Sequence, residues 1–97
     1  MAELSEREQL YYNLLKQFYS GQLTRGKLLH YFRKQVLHYS QTEYCKLVGI
    51  GRNSLIDIEK DRGEPSETIL NKAFRPFNLK VGLIPHDVNV LERLFKL

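Results

Sequence analysis

The stretch from Ser40 to Lys60, SQTEYCKLVGIGRNSLIDIEK, constrains the fold more than any other part of the chain. Ser40 suits a helix N-cap, and Glu43 three residues on supplies the reciprocal half of a capping box. Tyr44, Leu47 and Val48 then put apolar side chains on one helical face. Gly49 follows directly, where a left-handed residue ends a helix. Ile50 is a buried anchor after the turn. A second helix from about Arg52 repeats the pattern with Leu55 and Ile58. Cys45 is small where the two helices must cross closely. The stretch therefore reads as two short helices, joined by a tight turn and sharing one core.

Counted from Gln41, apolar residues stand at the fourth, eighth, tenth, fifteenth and eighteenth positions: Tyr44, Val48, Ile50, Leu55 and Ile58. The fifth position is small and the ninth is glycine. Steeply crossed helices need this combination of close contact, positive φ and common core, and it is the spacing of a helix-turn-helix. With Ser40-Gln41, the Val48–Ile50 turn, and Ile58-Glu59 followed by a short loop and Pro65, the chain resembles the phage-repressor (Cro/XRE-like) helix-turn-helix family over about residues 27–78. The resemblance implies an all-α, five-helix domain whose third helix enters the DNA major groove, usually as a dimer on a palindrome. The rest of the chain adds an N-terminal helix (1–21) before the repressor-like core (24–78), and a short strand with a final helix after it (79–97).

Charge is distributed to match. The net charge is +4, but residues 25–52 hold Arg25, Lys27, Arg33, Lys34, Lys46 and Arg52 against Glu43 alone. The segments before and after are close to neutral. Positive charge gathered up to the start of the second motif helix is what a phosphate-facing surface needs. A solvated face would show the same charge, and the motif beside it tips the reading to double-stranded DNA.

Outside the motif, residues 4–20 form a helix with a second capping box at Ser5 and Glu8, and Gly21 ends it. Leu10, Tyr11, Leu14, Leu15 and Phe18 make its apolar stripe, which packs on the core or serves as a dimer or partner surface. A helix from about Arg25 to Tyr39, capped by Thr24, faces Leu28, Leu29, Phe32 and Val36 inward. Gly26 lies in its first turn, where its helix penalty is small. Ser66 caps a further helix with Ile69, Leu70, Ala73 and Phe74 buried. Pro76 ends or kinks it, Phe77 completes the core, and Asn78 suits a left-handed cap.

Carried over from the family residue by residue, Gln41 touches the DNA backbone and sometimes a base. Arg52 and Asn53 are the base readers, since arginine matches guanine and asparagine matches adenine bidentately. Ser54 bonds a phosphate or a base. Lys34, or Arg33, pairs with Glu59 and holds two helices in register. The chain departs from the family at Gly51, where Ser or Thr is usual. It departs again at Asp57, which can accept from a cytosine amine but repels phosphate. Ile56 either meets a thymine methyl or is simply exposed. After Glu59 the family often has Asn-Gly; here Lys60-Asp61 follow, and Lys60 and Arg62 substitute electrostatically for backbone contacts.

In the tail, Leu79, Val81 and Leu83 alternate with Lys80, Gly82 and Ile84 as a short strand would, and Pro85 stops it. It has no partner strand in the chain, so pairing across a two-fold axis is the economical solution. A strand placed there resembles the HipB-type antitoxins; a strand packed on its own domain, or a plain tail, remains open. Asp87 caps a last helix with Val88, Leu91, Leu94 and Phe95 on one side.

The expected function is a sequence-specific transcriptional regulator, a repressor acting as a homodimer. The alternative is an antitoxin that binds a toxin protein and represses its own operon, and a protein-interaction module without DNA binding is kept open by the acidic Asp57-Glu59-Asp61 run. An enzyme is not expected: there is no nucleophile–base pair, phosphate loop or metal-ligand spacing. His30, His38, Cys45 and His86 lack the spacing for zinc, and the two helix histidines are expected to be partly exposed or near DNA. No cofactor and no small-molecule substrate is implied. A single cysteine allows no internal disulfide. No signal peptide or membrane span is read, which gives a cytoplasmic expectation.

Overall fold

The Ser5 hydroxyl accepts from the Glu8 amide at 3.1 Å while the Glu8 carboxylate takes the Ser5 amide, so the capping box forms as read. It opens α1, Glu6–Tyr19, in a computed structural model that describes residues 3–84 and 87–95. Gly21, at φ 84°, turns the chain after it. The Thr24 hydroxyl accepts from the Lys27 amide at 3.1 Å and starts α2, Arg25–Tyr31. The expected long helix then widens. Phe32–Val36 form a π turn, with the Leu37 amide reaching back to the Phe32 carbonyl at 3.1 Å, and His38 sits at φ 58°. The motif helices follow as α3, Gln41–Val48, and α4, Arg52–Glu59. Ser66 caps α5, Glu67–Phe74, and a 3-10 turn over Arg75–Phe77 contains Pro76. Asn78 is left-handed at φ 59°. The last helix, α6, is Val88–Phe95, with Asp87 accepting from the Asn89 amide at 2.9 Å.

Among the described residues, every helix except α6 contributes to one core. Leu28, Leu29, Phe32, Tyr44, Leu55 and Ile58 are fully buried in it. At about 1.5–3 kcal/mol for each large apolar side chain withdrawn from water, burial of this set is what drives the short helices to form. An aromatic column runs through the core. Tyr11 stacks on Phe32 (5.4 Å between centroids), Phe32 on Phe77 (4.2 Å), and Tyr44 lies beside Phe77 (6.3 Å). The two hydroxyls at its ends are satisfied by backbone: Tyr11 donates to the Phe77 carbonyl at 2.7 Å and Tyr44 to the Ala73 carbonyl. The first of these bonds, with buried Leu14, packs α1 onto the core.

Two expectations are corrected by this packing. Leu47, placed with Tyr44 and Val48 on the inner face of α3, is instead 52% exposed. Nor does the structure show a strand over 79–84: among the described residues no strand forms and none pairs with that segment. It runs as a tail held at its start. The Leu79 amide donates to the Phe74 carbonyl at 3.3 Å and the Val81 amide to Asn71 Oδ1 at 2.7 Å, while Leu83 is fully exposed. Pro85, the expected stop, His86 and the side chain of Val88 lie outside the described residues.

Candidate nucleic-acid interface

The turn that presents α4 is built from three local devices. The Ser40 amide donates to the Glu43 carboxylate at 3.0 Å and the Glu43 amide to the Ser40 hydroxyl at 3.1 Å, which opens α3. Hydrogen bonding to the carboxylate from the Ser40 backbone, and from the Ser40 side chain, holds the Glu43 carboxyl below the usual carboxylate range. Gly49 ends α3 at φ 74°, a backbone that an L side chain adopts only under strain, and its amide donates to the Cys45 carbonyl at 2.9 Å. Gly51 then N-caps α4 from extended backbone with no side-chain bond. Burial pushes the half-buried Cys45 thiol up, and the nearby Arg52 charge opposes that shift.

At the start of α4, Arg52 and Asn53 are exposed and Ser54 is half-buried. Asp57, one helical turn beyond Asn53, is exposed and pairs with Arg62 at 3.4 Å. Ile56 is half-buried, and Leu55 and Ile58 are in the core. Gln41, at the head of α3, is half-buried; Lys34, Lys60 and Arg62 are exposed. Of the six basic residues gathered between 25 and 52, Arg33 alone is buried, so five remain on the surface.

Behind α4 lie two anchors on α2 and its π turn. The first is the ion pair at Glu59. Of the two candidates, Arg33 makes it and Lys34 does not. Arg33 Nε donates to Glu59 Oε2 at 2.7 Å and Nη2 to Oε1 at 2.9 Å, while Nη1 donates to the Tyr39 carbonyl at 2.8 Å. Lys34 is the next residue round the turn and points to solvent, with no ion pair among the described residues. His30 joins the group, with Nδ1 3.2 Å from Glu59 Oε1. The histidine is thus a structural partner of the glutamate. Burial alone would raise the Glu59 carboxyl, but the bonds from Arg33 and His30 and their charges outweigh it and leave it below its ordinary value.

The second anchor was invisible in the sequence. The Asp61 carboxylate accepts from the Thr24 hydroxyl at 2.6 Å and from the Gly26 amide at 2.9 Å. Gly26 is buried where α2 meets the end of α4. A Cβ there would overlap the Ile58 carbonyl oxygen and stand 2.7 Å from Asp61 Oδ1. Glycine is therefore needed for helix contact. A glycine two residues after the capping Thr24, in the first turn of a helix that buries Leu28 and Leu29, is the one local hint, but its partner lies 35 residues away.

Among the described residues no group of three or more His, Cys, Asp or Glu side chains could hold a metal ion, and no helix is long and apolar enough to cross a membrane. Compared with known proteins, the chain gives no significant match to a curated protein or to a solved structure. A family model described as helix-turn-helix matches residues 29–84, more than half of the chain, from within α2 through the tail that follows α5. That span contains the capped α3, the left-handed Gly49 turn, α4 and the Arg33–Glu59 brace, and the chain belongs to the Cro/XRE-type helix-turn-helix family of DNA-binding regulators.

Proposed function

We propose that the protein is a sequence-specific repressor that binds operator DNA as a homodimer, with α4 as its recognition helix. The observation that carries this reading is the exposed Arg52–Asn53 pair at the start of a helix braced from behind by Glu59. Both side chains carry donor–acceptor edges that match a base in the major groove. Ser54 and Gln41, half-buried at the heads of the two motif helices, are suited to phosphate or base contact. Lys34, Lys60 and Arg62 supply exposed positive charge for phosphates. Asp57 accepts from a cytosine amine on this reading, and its pairing with Arg62 reduces its repulsion of the backbone. Occupancy of a promoter would then block transcription by occlusion.

The dimer draws on a separate feature. In the last helix Val90, Leu94 and Phe95 are exposed, Phe95 by 81%. A palindromic operator presents its half-sites about 34 Å apart, the spacing at which the two α4 helices of a dimer would have to be held. A second reading, an antitoxin that also represses its own operon, uses the same side chains to hold a toxin instead of a second copy. Sedimentation of the pure protein separates them. A dimer at micromolar concentration supports the homodimer; a monomer that captures a protein partner while leaving DNA binding intact supports the antitoxin. Selection of binding sites from random duplex DNA tests the function itself, and enrichment of a palindrome is the expected result.

A further inference from the structure

α2 has no acidic residue in its own first turn. The negative charge that favours a helix start comes instead from Asp61, beyond the far end of α4. Asp61 is tied rigidly to that helix: its amide donates to the Ile58 carbonyl at 3.0 Å, and the Arg62 amide donates to the Asp57 carbonyl at 2.8 Å. Its backbone is left-handed, at φ 55°. Glycine would adopt that conformation without strain, whereas aspartate adopts it at a cost and brings a carboxylate with it. Both carboxylate oxygens are used, one on the Thr24 hydroxyl and one on the Gly26 amide.

We infer that Asp61 is a positioning residue: by bonding Thr24 and Gly26 it fixes the angle of α4 against α2. One anchor alone would not do this. The Glu59 pair holds α4 to the C-terminal end of α2 and its π turn through His30 and Arg33, and Leu55 and Ile58 pack α4 into the core, but non-directional apolar contact beside a single directional anchor leaves the helix angle free to adjust. Asp61 adds a second point, at the opposite end of α2, where the absent Cβ of Gly26 lets the two backbones meet. The two anchors lie at opposite ends of one helix and together define an orientation. The consequence for base reading rests on the proposed DNA-binding function; the orientation itself does not.

The test compares wild type with Asp61→Gly, which keeps the left-handed backbone and removes the carboxylate, and Asp61→Asn, which keeps an acceptor. Residual dipolar couplings report the angle between α2 and α4, and amide exchange at Gly26 reports the bond. Affinity is measured for the selected DNA site and for random duplex. Asp61→Gly is expected to fold, to tilt α4 and to speed exchange at Gly26. It should weaken specific binding roughly tenfold, the scale of one charge-assisted bond, while random-duplex binding changes about twofold or less. Asp61→Asn should recover most of the specific affinity and the angle. Unchanged couplings in Asp61→Gly would overturn the inference, even if stability falls. If Asp61→Gly does not fold, Thr24→Val, which removes the hydroxyl donor, is read by the same couplings. If wild type selects no DNA site, the function reading fails, and the couplings still decide the orientation claim.

Discussion

Arg33 and Glu59 form a buried ion pair held by two bonds, Nε to Oε2 at 2.7 Å and Nη2 to Oε1 at 2.9 Å, with side chains only 5% and 6% exposed. It joins the π turn after α2 to the last residue of α4. The third Arg33 donor goes to the Tyr39 carbonyl, so the guanidinium also closes the irregular turn around it. A pair this buried contributes through register more than through net energy, since desolvation of both charges offsets their attraction.

Removing one partner is a different matter. Glu59→Ala leaves the Arg33 charge buried without its acceptor, and should cost about 3–5 kcal/mol of stability in urea unfolding. Lys34→Ala should change stability by no more than about 0.5 kcal/mol, because that side chain is exposed. Equal losses in the two variants would contradict the pairing seen here.

The same pair sets a pH dependence. Burial favours the neutral carboxyl, but Arg33 and His30 outweigh it, so the folded Glu59 carboxyl sits below its unfolded value. Stability from this group is therefore fully present above the unfolded pKa of about 4.3 and is lost as pH falls through the lower folded value. The urea midpoint of the wild type should drop steeply on the acid side. In Glu59→Gln that slope should be shallower, and an identical acid profile in the two proteins would sink the assignment.

Gly26→Ala isolates the contact between α2 and α4. In an open helix alanine gains roughly 1 kcal/mol over glycine. Here the added Cβ would overlap the Ile58 carbonyl, a backbone atom that cannot rotate away. The expected result is net destabilisation of about 2 kcal/mol or more, seen as a lower thermal midpoint. A stabilised variant would mean that the helices do not approach this closely.

What was legible in the sequence was local. The boxes at Ser5–Glu8 and Ser40–Glu43, the caps at Thr24 and Ser66, and the left-handed turns at Gly49 and Asn78 each depend on residues a few positions apart, and each forms. The inner faces of α4 and α5 followed from periodicity alone. What was missed depended on three-dimensional context. Lys34 and Arg33 differ by one residue, about a quarter turn of helix, and periodicity does not choose between them where the helix widens into a π turn. Leu47 belongs to the apolar set of α3 by type, yet the fold leaves about half of it exposed. The bond from Asp61 to Gly26 spans 35 residues, and no local pattern announces it. Alternating apolar residues over 79–84 suit a strand by type, but among the described residues no partner strand lies beside them.

The most direct test of the central claim is selection of binding sites from random duplex DNA with wild type and with the double variant Arg52→Ala/Asn53→Ala. The account predicts a palindromic site with half-sites about 34 Å apart, bound more weakly as salt rises, and lost or relaxed in sequence in the double variant while the fold stays intact. No enriched site, together with weak binding that is indifferent to salt, would contradict the proposal that α4 reads DNA.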